Sequence, residues 1–176
     1  MSNKVFFLDR DGVVNIDSHY TYKSSEFIFR DGIFTLCKTL ENQGFKIIIV
    51  TNQSGIGRGY FTESDFKKLT LWMLEEFKKH KIKILDIFHC PHSPDSKCAC
   101  RKPKPGLIHK ACSKFKIEID KSWLIGDKES DIKAAEAAGI LNTILLGSNE
   151  DHNVSISNAK YVLKSLHECN ELILSK

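Results

Sequence analysis

The sequence lacks several features that would each indicate a particular class of protein. No apolar run approaches the roughly 20 residues that a membrane-spanning helix needs. Residues 1–4 lead directly into a short apolar run, without the apolar segment of a signal peptide, so a cytoplasmic location is expected. No repeat, linker or low-complexity tract divides the chain. We therefore expect residues 1–176 to form a single domain with no membrane partner.

The chain also lacks a strong excess of charge. Its 26 Lys and Arg residues and 22 Asp and Glu residues leave a net charge of +4. The basic residues are dispersed, and the densest cluster, residues 78–81, lies at the end of a predicted helix, where cations favour the helix dipole. A nucleic-acid partner is therefore not expected. No pattern predicts a coiled coil, and a monomer is the expected state.

The six cysteines do not indicate a disulfide framework, because such frameworks are rare in cytoplasmic proteins. Three lie singly within helical patterns and are interpreted as packing residues, namely Cys37, Cys112 and Cys169. One loop holds the others beside a histidine, as Cys90, His92, Cys98 and Cys100. Three thiolates and one imidazole form a closed set for structural Zn²⁺. Free thiols in a surface loop are the alternative, disfavoured because exposed thiols are prone to oxidation.

Short apolar runs alternate with helical patterns along the chain. Predicted strands cover Val5–Leu8, Ile47–Val50, Ile84–Phe88, Trp123–Ile125, Thr143–Leu146 and Tyr161–Leu163. Predicted helices run from Asp31 as cap to Gly44, from Thr62, from near Pro105 to Lys116, over 129–138, and from a capping box at 165–168. This alternation with short connections predicts an α/β fold with a doubly wound, mostly parallel sheet.

Two carboxylates stand at the end of the first predicted strand. Asp9 and Asp11 therefore lie at the carboxyl edge of the sheet, where open α/β sheets bind their ligands. Two ionised carboxylates this close repel each other, and a hard cation such as Mg²⁺ removes that penalty and creates a site for phosphoryl groups. Considered alone, the segment also fits an ordinary Asp-Gly turn.

Polar motifs follow three later units of the predicted fold. The second strand ends at the run 51–54, whose hydroxyl, amide and backbone N–H groups suit phosphate oxygens. Arg101 and Lys102 offer a forked donor and a compact charge for phosphate. Asp127 follows the fourth strand, where it could join Asp9 around a cation. Each motif alone fits a polar turn, a solvated loop or an acidic helix start, but their order favours one phosphate site.

In this order the motifs resemble those of the haloacid dehalogenase superfamily of aspartate-nucleophile phosphatases. The resemblance covers nearly the whole chain and rests on DRDG at 9–12, TN at 51–52, Lys102 and GDKxxD at 126–131. It implies the Rossmann-like fold of that superfamily. It also implies that Asp9 attacks phosphorus to form an aspartyl-phosphate, which splits one difficult displacement into two easier ones.

The same resemblance implies a role for each remaining site residue. Asp11 is the general acid and base, which protonates the leaving oxygen and later deprotonates water. Thr51 and Lys102 hold the transferring phosphoryl group. Mg²⁺ is held by Asp127, by the carboxylate of the nucleophile and by the backbone carbonyl of Asp11. Asp131 supports this site without touching the substrate.

The chain has no room for the lid domain that many members of this superfamily carry. One helix and a polar loop separate the first two motifs, and one strand–helix unit with the zinc loop separates the second from the third. Substrate selection is therefore expected from residues 15–25, 53–61 and 90–102.

The lidless pattern with a zinc loop resembles the branch that contains heptose bisphosphate phosphatases and histidinol-phosphatases. Residues 51–66 are similar to the heptose phosphatases in Ser54 and Arg58, although Gly57 stands where they often have Ala, and residues 17–20 match their substrate loop. The resemblance implies removal of the 7-phosphate of D-glycero-D-manno-heptose 1,7-bisphosphate, in activated-heptose synthesis for lipopolysaccharide or a related surface glycan. The expected contacts to this sugar phosphate are Asp17, Tyr20, Asn52, Gln53, Ser54, Arg58, Arg101 and Lys128.

Three other functions stay open at this point. Histidinol-phosphate hydrolysis would use the same chemistry with a different pocket, and Ser54 and Arg58 argue against it. A polynucleotide 3′-phosphatase would suit an open site, but needs a concentrated basic or aromatic surface. A non-enzymatic zinc-stabilised module would have no use for the acidic pair at 9 and 11. The preferred anomer of the heptose also stays open.

Overall fold

A computed structural model of the chain describes residues 3–147 and 157–176. Its strands form one six-stranded sheet in the order β3-β2-β1-β4-β5-β6, and every neighbouring pair is parallel. The strands are β1 Val5–Leu8, β2 Lys46–Asn52, β3 Ile84–Cys90, β4 Trp123–Gly126, β5 Asn142–Leu146 and β6 Tyr161–Leu163. This is the strand order of a doubly wound fold. From β1 the chain first adds strands on one side of the sheet, β2 and β3, and then adds β4, β5 and β6 on the other side. The predicted fold class is confirmed.

Helices connect the strands on both faces of the sheet. They are α1 Ile33–Asn42, α2 Ser54–Gly57, α3 Glu63–Lys79, α4 Gly106–Lys114, α5 Glu129–Ala137 and α6 Leu166–Leu174, with 3-10 turns at Ser24–Glu26 and Ile119–Lys121. Within residues 3–147 and 157–176, none of these helices has both the length and the apolar content to cross a membrane. Among the same residues, each connection between two strands holds only helices, short turns and loops, so no lid domain covers the carboxyl edge of the sheet.

The core lies in two layers because β1 is buried on both faces. Successive side chains of a strand point to opposite faces. Phe6 and Leu8 pack into the layer that contains α1, α3 and α6, whereas Val5 and Phe7 pack into the layer beneath α4 and α5. All four side chains are fully buried, as expected for the central strand of a parallel sheet. Burial on both faces fixes where β1 ends and therefore where Asp9 lies.

Helix starts agree with the sequence at two places and differ at a third. Thr62 caps α3, with its hydroxyl accepting the N–H of Asp65 at 3.1 Å. Ser165 caps α6 by accepting the N–H of Glu168, which is one half of the predicted box. The other half does not form, because the Glu168 carboxylate accepts the N–H of Lys164 and not that of Ser165. The prediction that Asp31 caps α1 is wrong. Gly32 occupies that position with a left-handed φ of 84°, and the Asp31 carboxylate turns away to His167.

Two segments beyond the predicted strands shape the site. β3 continues to Cys90, two residues further than expected, so the first cysteine of the zinc loop belongs to the sheet. The polar run after β2 forms the single helical turn α2 instead of an irregular turn. The loop 12–30 is mostly polar in composition, but it also contributes to the core through the buried side chains of Val13, Val14 and Phe27.

Candidate active site

A cavity of about 440 Å³ opens at the carboxyl ends of β1, β2 and β4. It lies where the strand order reverses, the usual ligand position in doubly wound folds. Most of the sequence-predicted site residues line it, namely Asp9, Asp11, Asp17, Tyr20, Thr51, Asn52, Gln53, Ser54, Arg101, Lys102, Lys128 and Asp131. Residues from distant parts of the sequence thus meet in one pocket.

Asp9 and Lys102 form a buried ion pair in the floor of this cavity. The Lys102 ammonium donates to Asp9 Oδ1 at 2.8 Å and lies 2.6 Å from Asp131 Oδ1, and it also donates to the carbonyl oxygen of Val50. Burial opposes the charge of Lys102, but the carboxylates of Asp131 and Asp9 outweigh it and raise its pKa. Burial also raises the pKa of Asp9, against the attraction of Lys102. Lys102 is therefore held charged next to the candidate nucleophile.

Asp127 carries a carboxylate oxygen that suits a cation. Its Oδ1 is buried and has no hydrogen-bond partner among the described residues. Burial raises the pKa of Asp127 to about 6. Carboxylate oxygens of Asp9, Asp127 and Asp131 lie within 4.8 Å of one another. Both oxygens of Asp131 have partners, because Oδ1 pairs with Lys102 and Oδ2 accepts the N–H of Lys128. Lys102 and the N–H of Arg10 both bind Oδ1 of Asp9, so the residues that fit Mg²⁺ are Asp9, through its other oxygen, and Asp127.

Gly12 has no side chain, and the Asp127 carboxylate occupies the space where its Cβ would lie. Its φ is +93°, and a Cβ at this position would stand 2.2 Å from Asp127 Oδ2. We expect Gly12→Ala to displace Asp127 and raise the Mg²⁺ concentration for half-maximal activity by about tenfold or more. Gly59→Ala is the matched control, because Gly59 also has a left-handed φ, of +75°, but nothing lies within 4 Å of its added Cβ. Both variants carry about 1–2 kcal/mol of backbone strain, so equal Mg²⁺ profiles would contradict the role of the Asp127 contact.

Asp11 is held by donors that the sequence did not identify. The buried Arg10 guanidinium donates through Nε to Asp11 Oδ2 at 3.1 Å and through Nη2 to Asp11 Oδ1 at 2.9 Å. Asn15 Nδ2 donates to Asp11 Oδ1 at 3.0 Å. Arg10 also donates to the carbonyl oxygen of Thr21, which ties the loop after β1 to the same carboxylate. The only sequence signal for Arg10 was a cation placed between the two acids of the DRDG motif.

Asn52 lines the cavity, but both polar atoms of its side chain bond to the backbone of Lys102. Its Oδ1 accepts the backbone N–H of Lys102 at 3.1 Å, and its Nδ2 donates to the carbonyl oxygen of Lys102 at 3.2 Å. These two bonds hold the Lys102 backbone against the end of β2. Asn52 therefore has a structural role besides the contact with substrate that the sequence predicts. Thr51 and Ser54 also line the cavity, and their contacts with substrate stay predictions.

The cavity rim contains two cations and an aromatic pair. Lys128 Nζ donates to Asp17 Oδ2 at 3.0 Å, and Arg101 Nη1 is buried without a partner among the described residues. Tyr20 packs edge-on against Tyr60, with ring centroids 4.7 Å apart, and has a left-handed φ of 54°.

Arg58 is the one predicted substrate contact that lies elsewhere. It is exposed and does not line the cavity, and a hydrogen bond with Tyr60 raises its pKa. Arg58 directly follows the helical turn α2, which ends at Gly57. The expected contact between Arg58 and the substrate is not supported by this arrangement.

The zinc-loop residues form a compact cluster. The Cys90 sulfur lies 3.7 Å from that of Cys98 and 3.2 Å from that of Cys100. His92 Nδ1 lies 3.4 Å from Cys90 Sγ and 3.3 Å from Cys100 Sγ. Tetrahedral zinc with bonds of about 2.0–2.3 Å has ligand edges of roughly 3.3–3.8 Å. Three of these four distances lie in that range and the Cys90–Cys100 distance is slightly shorter, so the cluster has close to the size that the ion needs. His89 lies outside the cluster and pairs with Glu63.

Two glycines let the zinc loop approach its neighbours. A Cβ on Gly57 would stand 2.6 Å from the backbone nitrogen of Ser93, and one on Gly106 would stand 2.3 Å from the carbonyl oxygen of Ala99. The loop is therefore packed between α2 and the start of α4. An Ala at position 57, which the family resemblance suggested as common, would not fit here without movement of the loop.

The site resembles those of known phosphatases in sequence and in fold. A family model described as HAD-hydrolase-like matches residues 99–169. The D-glycero-alpha-D-manno-heptose-1,7-bisphosphate 7-phosphatase of Campylobacter jejuni is 46% identical over 171 residues, which cover 96% of this chain and 98% of that protein. The chain belongs to the heptose bisphosphate phosphatase family. This membership confirms the predicted superfamily and the prediction of an enzyme.

Other relatives within the heptose bisphosphate phosphatase family agree. The D-glycero-beta-D-manno-heptose-1,7-bisphosphate 7-phosphatase of Helicobacter pylori is 46% identical over 149 residues, covering 84% of this chain and 86% of that protein. The crystal structure of D,D-heptose 1,7-bisphosphate phosphatase from B. bronchiseptica, complexed with magnesium and phosphate, superposes with a TM-score of 0.87 at 30% identity and covers 98% of both chains. Relatives named for the alpha and the beta anomer thus have the same 46% identity to this chain, over 171 and 149 residues.

Proposed function

We propose that this chain removes the 7-phosphate of D-glycero-D-manno-heptose 1,7-bisphosphate and releases heptose 1-phosphate, in the synthesis of activated heptose for a surface glycan. The observation that supports this proposal most is the buried Asp9–Lys102 pair beside Asp127 in a cavity with further cations on its rim. One phosphate fits the floor next to Asp9. The other fits Arg101 or Lys128, because a bisphosphate needs a second anion contact away from the reacting group.

In the first half of the proposed reaction, a carboxylate oxygen of Asp9 attacks the phosphorus of the 7-phosphate. The bond between phosphorus and the C7 oxygen breaks, and Asp11 gives its proton to that oxygen. Lys102 and the Thr51 hydroxyl stabilise the negative charge on the phosphoryl oxygens. Mg²⁺ bound by Asp9, Asp127 and the backbone carbonyl of Asp11 would supply additional positive charge at the same oxygens.

In the second half, water attacks the phosphorus of the aspartyl-phosphate. Asp11, now ionised, takes the proton of that water, and the carboxylate of Asp9 leaves. Asp131 takes no proton in this scheme, because it is bound to Lys102 and acts by holding that ammonium in place. Inorganic phosphate and free enzyme result.

Asp11→Asn should lower kcat on the heptose bisphosphate by about 10²–10⁴-fold, because the amide cannot donate or accept the transferred proton. The loss should be smaller with p-nitrophenyl phosphate, since nitrophenolate leaves without a proton. Steady-state kinetics on both esters measure this difference. A normal rate on the heptose ester would refute the acid and base role of Asp11.

We also propose that the cysteine and histidine cluster holds structural Zn²⁺. The fit of its ligand spacings to a tetrahedron supports this, and the closed set of four ligands leaves no position for a catalytic water. The ion would hold the loop that leads to Arg101 and Lys102. A single domain, a monomeric state and a cytoplasmic location stay predictions of the sequence.

Phosphate release from a panel of four substrates tests the proposed function. With Mg²⁺ present, we expect one anomer of the heptose bisphosphate to give the highest kcat/KM. The alternatives are the other anomer, histidinol phosphate and a 3′-phosphorylated oligonucleotide. The preferred anomer identifies the activated-heptose product, and a preference for either non-heptose ester would contradict the proposed substrate while leaving the chemistry of Asp9 in place.

A further inference from the structure

Gln53 is buried between two residues of the proposed mechanism. Its side-chain nitrogen donates to Asp11 Oδ2 at 2.9 Å and to Thr51 Oγ1 at 2.8 Å. Only 3% of the residue is exposed, although it contributes to the lining of the cavity. A side chain whose nitrogen already serves two protein acceptors has no N–H left for a sugar hydroxyl.

The orientation of the Gln53 amide follows from its partners. Asp11 Oδ2 also accepts a hydrogen bond from Arg10 Nε. In the ionised form of Asp11, which acts as the base in the second half of the proposed reaction, this oxygen only accepts hydrogen bonds, so the nitrogen of the amide, and not its oxygen, faces it. The second N–H then reaches the Thr51 hydroxyl oxygen. Since this oxygen accepts from Gln53, the Thr51 hydroxyl hydrogen is free to point at a phosphoryl oxygen. One amide therefore sets the position of the acid and the direction of a phosphate donor.

The backbone of Gln53 is held from the opposite side. Its N–H donates to the carbonyl oxygen of Cys90 at 2.8 Å, so a residue of the zinc cluster anchors Gln53 where β2 ends. The cluster and the two site residues are therefore joined through this one residue.

We propose that Gln53 is a positioning residue that holds Asp11 and Thr51 in the arrangement needed for phosphoryl transfer, and not a contact for the sugar. This inference rests on the proposed function for the roles of Asp11 and Thr51. It predicts that loss of the amide lowers the rate of the chemical step for any phosphate ester. A sugar contact would instead affect the binding of the heptose ester alone.

The decisive variant is Gln53→Met, which keeps the volume of the side chain and removes both donors. We expect kcat to fall by about 10- to 100-fold and KM to change by less than about threefold, because misplaced catalytic groups lower the rate more than affinity. The same loss in kcat should occur with glycerol 1-phosphate, which has an alkyl leaving group but no ring and no second phosphate. Gln43→Met is the matched control, since Gln43 is exposed at the end of α1.

Each outcome of this experiment decides the proposal. A raised KM with unchanged kcat, confined to the heptose ester, would overturn it in favour of a sugar contact, and unchanged kinetics on both esters would overturn it as well. If Gln53→Met melts far below the parent protein, Gln53→Ser, which leaves room for water, is measured in its place. If the unaltered enzyme prefers another ester, the proposed substrate fails, and the same division between kcat and KM on that ester still tests Gln53.

Discussion

Asp9→Asn should reduce kcat on the heptose bisphosphate by about 10⁴-fold or more, since loss of a nucleophile removes the covalent route altogether. The fold should persist, because Asn has the same shape and a buried amide costs less to desolvate than a buried carboxylate. Phosphate release measures the loss, and a thermal melt within a few degrees of the parent protein shows that the fold is intact.

The matched control for this variant is Asp120→Asn, which makes the same chemical change at an exposed residue of the second 3-10 turn. Its kcat should equal that of the parent protein. If Asp9→Asn retained a rate within about tenfold of the parent, Asp9 would not be the nucleophile. The ion pair between Lys102 and Asp131 would then serve some purpose other than holding a cation beside the nucleophile.

Cys100→Ser should lower the melting temperature by about 8–16 °C. Loss of one ligand from a structural zinc site costs on the order of 4 kcal/mol, and each kcal/mol corresponds to roughly 2–4 °C for a chain of this size. Thermal melting and elemental analysis of the purified protein measure the two effects together. The parent protein should contain one zinc ion per chain, and the variant should contain less.

Cys112→Ser is the control for this change, because Cys112 is a half-buried thiol of α4 outside the cluster. We expect it to retain zinc and to melt close to the parent protein. Activity should also fall in Cys100→Ser, since Lys102 follows the cluster by two residues and Gln53 is bonded to the carbonyl of Cys90. An unchanged melt together with no bound metal would favour free thiols in the loop.

Much of the fold and the floor of the site could be predicted from the sequence for a local reason. A strand buried on both faces is a continuous apolar run, and its end is the first polar residue, so Leu8 followed by Asp9 already marks the carboxyl edge of the sheet. The same argument places Thr51 and Asp127. The cluster of three cysteines and one histidine could also be predicted, because all four residues lie within one short loop and can come together without contacts from distant parts of the chain.

The hydrogen-bond partners of the polar side chains could not be predicted from local sequence pattern. Asn52 and Gln53 were both expected to contact the substrate, yet their amides bond to Lys102, Asp11 and Thr51. Lys102 is 50 residues from Asn52, and Asp11 is 42 residues from Gln53, so whether these amides face a ligand or the protein depends on groups that are distant in sequence and on burial that exists only once the sheet has formed.

Local pattern thus determined which residues stand at the strand ends, and with them the fold, the position of Asp9 and the residues of the zinc loop, while the role of Asp9 as nucleophile came from the family resemblance. Tertiary packing alone decided that Arg10 is buried against Asp11 and the carbonyl of Thr21, that Arg58 lies outside the cavity lining and that Asp31 leaves the cap of α1 to Gly32. The physical reason is that backbone hydrogen bonding and apolar periodicity act between near neighbours. The orientation of a charged or amide side chain is settled by the distant donors and acceptors that folding brings beside it.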